Sequence, residues 1–556
     1  MRRYRLLLFS LCALACLPPA GASAQPQRAE FAVVNANIWT VDEAHPRAEA
    51  IAVAGGRIIA VGTEREVRRY INRRTDVLDA GGRLVLPGFI DAHCHLPSGG
   101  YSRNQIDLRG GTAETIRARL TEEIARIQAG QAVYATASFP STDLFEGLGW
   151  PTRELLDPVS PDNPVVIQRS GGHAVWVNSK ALEISGITAE SEVPYGGEIV
   201  LDPATGEPTG ILKEAAASLL RVPMPWTTRD FIEEAVAYAR RVGVTCAGTS
   251  ANDEQRAIYR EMADSGELTL RICGWLGSWE VDECIERGIR HDQGDDMIRT
   301  GMLKLFLDGT IGVRTAFLFE DFAEEPGNRG LAQMSEEEFY ALVDRLHAAG
   351  IQVGVHAIGD RAVHWVLNAV ERAQQAHGVK GLRHRVEHGT VMLVEDTARF
   401  AELGMIASMQ PDITGDQEYR EQRLGVERAH RVDMWRTLLD NDAHLAWGTD
   451  WPVSDLNPMG NLFRLTTRYE EQRLNIEEAI YHYTMGSAWA MFRENDLGSL
   501  EVGKLADMVV LSEDIMDGQS WRLFRTRVDY TVLGGRVVYD RAAATDNQPT
   551  PGSTSR

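Results

Sequence analysis

Eight short apolar runs, separated by sequence of helical character, constrain this chain more than any other feature. They cover residues 86–95, 244–250, 268–276, 302–308, 351–358, 385–388, 405–410 and 445–450. Near-continuous Val, Ile and Leu mark strands buried on both faces, as in parallel sheets covered by helices. Eight such units predict an α/β fold, a (β/α)8 TIM-like barrel. One unit shows the grammar. Ser335 and Glu338 make a capping-box pattern, a helix is expected to Ala349, Gly350 ends it, and the next strand begins at once. The interval between the first two strands is far longer than the others. It predicts an insertion over about residues 100–230, folding over the mouth of the barrel.

The two ends share another texture. Short β-like runs at 31–41, 50–53 and 57–61 are punctuated by Gly55-Gly56 and Gly81-Gly82, and runs at 508–511 and 528–533 lead into a Gly534-Gly535 hairpin. A small β-sandwich domain built from both termini is expected, from residues 25–85 and 498–545, with the barrel spanning 86–497. Residues 546–556, rich in Thr, Ser and Pro, read as a disordered tail.

At the start, Arg2, Arg3 and Arg5 precede an apolar stretch over 6–17, followed by Ala22-Ser23-Ala24. This is the pattern of a signal peptide, residues 1–24, and predicts a secreted or periplasmic protein. The stretch is shorter than the ~20 residues a membrane span needs, and no later run is long enough. A competing reading lipidates Cys16, although Ala13 departs from the usual Leu three residues before. Cys94, Cys246, Cys273 and Cys284 are too scattered for a disulfide framework, with one disulfide left open. The formal net charge of -22 argues against nucleic acid as a partner. A small-molecule substrate is expected, and homo-oligomerisation stays open.

In such barrels chemistry sits at the carboxyl ends of the strands. The first run ends in His93-Cys94-His95, where alternation turns both histidines to one side and Cys94 to the other. Later runs carry Lys304, His356, His388 and Asp450. A lone histidine at a strand end is more often a hydrogen-bonded core residue. Four on three strands, with a carboxylate on a fourth at the same rim, suit zinc or a similar divalent metal. No Gly-x-Ser-x-Gly elbow is present.

The segments LPGFIDAHCH (86–95), KLFLDGTIG (304–312), HAIGD (356–360), RVEH (385–388), GTDWP (448–452) and GSLEVGKLAD (498–507) resemble the amidohydrolase superfamily. They are most similar to its amidohydrolase 3 family, which includes N-substituted formamide deformylases. The resemblance implies a barrel with a β-sandwich and one or two metal ions. It implies His93, His95, His356 and His388 as ligands, and Asp450 as both ligand and proton shuttle. Lys304 stands where many relatives carry a carbamylated lysine bridging two metals. The expected activity is hydrolysis of an amide or N-substituted formamide C–N bond by metal-bound hydroxide. Its rivals are ester or lactone hydrolysis, deamination, or non-catalytic metal or ligand binding by a secreted protein. Weaker expectations are substrate contacts from His173 and Arg314, an N-cap role for Asp360, and a structural ion pair at Glu387.

Overall fold

All eight runs enter one parallel sheet whose strands neighbour each other in chain order: Phe89–Cys94, Val244–Ser250, Arg271–Leu276, Ile298–Phe306, Val353–Ala357, Arg385–His388, Ile406–Met409 and His444–Trp447. The structure, a computed structural model, describes residues 27–139, 150–169, 174–194, 196–291, 293–468 and 470–544. The segment 1–24, with Cys16, and the segment 546–556 lie outside the described residues. The sheet nearly closes into a barrel. The last strand meets the first through the N–H groups of Thr449 and Asp450, which donate to the His93 carbonyl at 3.1 and 2.7 Å. Gly448 permits that approach, because a Cβ there would lie 2.7 Å from the His93 backbone nitrogen.

Helices cover the outside. Ser335 caps the helix Glu336–Ala348 in a reciprocal box with Glu338, and Gly350 turns out of it at φ 74°. Phe339, Val343 and Leu346 of that helix are buried in the same layer as Leu303 and Leu305 of the fourth strand and Leu307 just after it. Burying each such side chain stabilises the fold by about 1.5–3 kcal/mol. The alternation leaves Lys304 and Phe306 on the inner wall.

The two termini form two sheets. One contains Phe31–Val34, Ala50–Ala54, Arg57–Gly62 and Asp76–Asp79. The other contains Asn37–Trp39, Arg47–Ala48, Leu84–Pro87, Met508–Leu511, Val528–Leu533 and Arg536–Asp540. Val33, Ile38, Ile51, Val85, Met508, Val510 and Val532 share their core. Two details differ from expectation. The run 31–41 is not one strand: Asn35, at φ 51°, breaks it and sends its halves to different sheets. Residues 86–87 belong to the sandwich rather than the barrel, because Leu84–Pro87 pairs with Met508–Leu511. The barrel begins only after Gly88.

The interval after strand one carries a sheet of its own, ordered Glu198–Leu201, Pro208–Lys213, Ala174–Val177, Val165–Arg169, Val133–Ala137 and Ile106–Asp107. It buries Leu120, Ile167 and Trp176 in one cluster and Val166, Leu182 and Leu212 in another. The chain leaves the rim through helix Leu96–Asn104 and returns through Thr228–Val242, with Tyr101 edge-on to Phe231 at 5.3 Å. Cys94, Cys246, Cys273 and Cys284 are buried free thiols.

Candidate metal centre

His93 and His95 end the first strand, and Asp450 follows the last. Nε2 of His95 lies 3.0 Å and Nε2 of His93 3.5 Å from Oδ1 of Asp450. Ligand atoms of these three residues all fall within 4.8 Å of one another. Lys304 Nζ comes 3.4 Å from His93 Nε2. The His388 ring is 4.9 Å from that of His93 and 4.4 Å from that of His356. The fold thus gathers His93, His95, Lys304, His356, His388 and Asp450 at one end of the barrel.

What each histidine offers depends on the hydrogen bond its other nitrogen makes. His93 Nδ1 is 2.5 Å from Glu387 Oε2. Arg385 grips the same carboxylate with Nε at 2.6 Å and Nη2 at 2.9 Å, so Glu387 is an ionised acceptor. His93 therefore donates from Nδ1 and keeps the Nε2 lone pair. His388 Nδ1 donates to Gln410 Oε1 at 2.7 Å, again freeing Nε2. His356 is turned the other way: Nε2 donates to the Gly309 carbonyl at 3.0 Å and Nδ1 is left free. Burial, reinforced by Lys304, holds His93 well below its ordinary pKa and brings His356 down to about 4. Burial, reinforced by His356, does the same for His388. Neutral rings with an uncommitted lone pair are what a divalent ion requires.

Burial works against the Asp450 carboxylate, but the hydrogen bond from His95 and the neighbouring histidines outweigh it and hold the group well below the ordinary range. Burial lowers Lys304 to about 8, against the pull of Glu387 and Asp450. An appreciable fraction of its amine is therefore uncharged near neutral pH. His388 and Asp450 both adopt left-handed backbone, at φ 76° and 54°. Such conformations cost about 1–3 kcal/mol each and concentrate at functional sites.

Sequence reasoning missed two supporting carboxylates, Asp91 and Asp308, and the second role of a third, Glu387. Asp91 accepts from the His93 N–H at 3.0 Å and from Thr449 Oγ1 at 2.7 Å, tying strand one to the loop bearing Asp450. Asp308 accepts the backbone N–H groups of Phe317, Ile358 and Gly359 at 2.9, 3.0 and 2.8 Å, pinning the long loop after strand four to strand five. Burial pushes both up to about 7. Glu387 does make its expected ion pair, with Arg385, but its other role is to hold His93. Only Asp91 had a readable signal, its place two residues before His93 on an alternating strand.

Arg314 pairs with Glu324 at 2.8 Å and Glu325 at 3.4 Å within its own loop. One weaker expectation is corrected. Asp360 is the first residue of the helix Asp360–His377, with Gly359 at the cap, and its Oδ1 accepts from Phe319 N at 3.0 Å. His173 lies outside the described residues.

The profile of the amidohydrolase family matches residues 76–539. The chain belongs to that family. This amidohydrolase is 31% identical to the Arabidopsis thaliana protein LONG AFTER FAR-RED 3, over 94% of this chain and 93% of the relative. It is 29% identical to an N-substituted formamide deformylase of Arthrobacter pascens, over 93% of this chain and all (100%) of the relative. Among solved structures it is similar to an uncharacterized metal-dependent hydrolase from Pyrococcus furiosus, with a TM-score of 0.72 and 27% identity over 87% of this chain and 99% of that one. The amidohydrolase is a metal-dependent hydrolase acting on carbon–nitrogen bonds.

Proposed function

We propose that the protein hydrolyses an amide, RCO–NHR′, or an N-substituted formamide, and that zinc occupies the centre as one or two ions. His93, His95 and His388 would hold it through Nε2, His356 through Nδ1, and Asp450 through its carboxylate. Nitrogen donors with one carboxylate suit zinc. Lys304, carbamylated by carbon dioxide on its uncharged amine, would lend a bridging carboxylate-like group between two ions. When bound, such an ion polarises a carbonyl and acidifies water.

The chain's own residues do the rest. Asp450, ionised at neutral pH, takes a proton from the attacking water and passes it to the departing nitrogen as the C–N bond breaks. Glu387, backed by Arg385, keeps His93 in one tautomer. Asp91 and Asp308 fix the two loops that flank the centre. The observation that carries this reading is the convergence of His93, His95 and Asp450 with a free lone pair on His93. A panel of N-acyl and N-formyl amines, esters, lactones and ring amines, assayed with metal-analysed protein, tests it. Turnover of the amides is expected; turnover confined to another class overturns the reading. Lys304→Ala is expected to lose one metal equivalent and most activity. Two metals retained with normal turnover would remove the bridge.

The leader-like residues 1–24 support export to the periplasm or medium. N-terminal sequencing of the protein from cell fractions is expected to begin at Gln25, and a retained Met1 would refute cleavage.

A further inference from the structure

One aromatic ring on the inner wall of the barrel stays exposed among the described residues. Along the eight barrel strands Phe306 is the one large apolar side chain that is exposed, at 44%. It faces inward with Lys304, one pleat nearer the mouth. Its ring lies 5.1 Å from Lys304 Nζ and 5.6 Å from the ring of His356. Leaving a phenyl ring in water is unfavourable, and here the ring borders the metal centre itself. Val313, on the loop after the same strand, and Trp279, after strand three, are also exposed.

The opposite side differs. In a barrel of eight strands in chain order, strand four stands across from strand eight, and strand eight leads into Asp450. Asp450 hands its proton to the leaving nitrogen, which therefore lies on the strand-eight side. The acyl half of the substrate then points toward strand four. We propose that Phe306 is the platform for the substrate's acyl substituent, and that the preferred substrate is an N-acyl amine whose acyl group ends in a flat apolar ring. A formamide, with only hydrogen on its acyl carbon, would leave Phe306 uncovered. This rests on the amide reading above. The reaction adds water across the C–N bond, releasing an arylalkyl carboxylic acid and a free amine.

Three probes separate the two halves of the substrate: N-methyl-phenylacetamide with the ring on the acyl side, N-benzylacetamide with it on nitrogen, and N-methylacetamide with neither. An aromatic contact of this kind is worth about tenfold in affinity. Zinc-loaded wild type is expected to favour N-methyl-phenylacetamide over N-methylacetamide by about tenfold or more in kcat/KM. Phe306→Ala should abolish most of that preference through KM, with the loss on N-methyl-phenylacetamide exceeding that on N-methylacetamide by about tenfold. Phe306→Tyr should restore it, and Phe306→Leu, which keeps the volume, guards against misfolding. Loss confined to N-benzylacetamide overturns the orientation, and equal loss on all three overturns the platform. Ligand-observed NMR of phenylacetamide, with and without zinc, gives a readout independent of turnover. A binding difference between wild type and Phe306→Ala in protein that cleaves no amide keeps the platform and sinks the hydrolytic reading. Turnover without any such difference does the reverse.

Discussion

Barrel strands five and six place histidines at both ends, and the two ends behave differently. At the carboxyl end, His356 and His388 each commit one nitrogen to a carbonyl or amide oxygen and keep the other free. At the amino end, His384, just before strand six, accepts from the Val353 N–H at 3.1 Å on Nδ1. Its Nε2 donates to His347 Nδ1 at 2.9 Å, and His347 Nε2 donates to the Gly378 carbonyl at 3.0 Å. All four nitrogens of that pair are consumed. His347, His384 and His388 are buried and His356 is nearly so, its side chain 13% exposed. The leftover lone pair, not burial or residue type, separates a set of ligands from a set of struts.

The comparison can be broken at several points. Asp450→Asn removes the proton carrier and should lower kcat about 10²–10⁴-fold, while its melting temperature stays within a few degrees of wild type. Unchanged turnover would take Asp450 out of the chemistry. Zinc at a hundredfold excess over Kd should stabilise the wild type by about 2.7 kcal/mol, read as a rise in Tm. His95→Ala should abolish that rise and His384→Gln should not; loss in both variants would erase the distinction drawn above. Glu387→Gln takes the ionised acceptor from His93, and zinc affinity in chelator competition should fall about 10–100-fold. Wild-type affinity in this variant would reduce Glu387 to a strut.

A further effect concerns acid. Burial lowers His384 to about 3 in the fold, against an ordinary value of about 6.5. The unfolded chain therefore takes up a proton first. The contribution is intact above about pH 6.5 and is lost as pH falls from there toward 3. Melting temperature against pH should decline less steeply below pH 6 in His384→Gln than in wild type. Parallel curves would show that the pair does not limit acid stability.

The barrel was legible because its strands are buried on both faces and so read as apolar runs. The ligands were legible because alternation aligns His93 with His95 and because strand ends define one rim. The break at Asn35 was not, since a single left-handed residue leaves an apolar run looking continuous. The inserted sheet was hidden because its strands are short and separated by long polar connections. Glu387 and Asp308 escaped because their partners lie on other strands, and a carboxylate that accepts backbone N–H groups has no spacing signature. Phe306 looked like ordinary filler beside Leu305; only its exposure on the inner wall sets it apart.

The contact between Gly448 and His93 has a consequence for how the molecule holds together. It marks the seam where the first and last barrel strands meet; no regular ladder runs between them there, only the bonds of Thr449 and Asp450 to the His93 carbonyl, of His95 to the Trp451 carbonyl and of Thr449 to Asp91. His93 and His95 stand on one lip of that seam and Asp450 on the other. An ion shared by these three would act as a clasp, fastening two stretches of chain with most of the protein looped between them. An ion that binds the folded chain and not the unfolded one stabilises that closure by mass action. Loading the enzyme and locking its barrel would then be a single event.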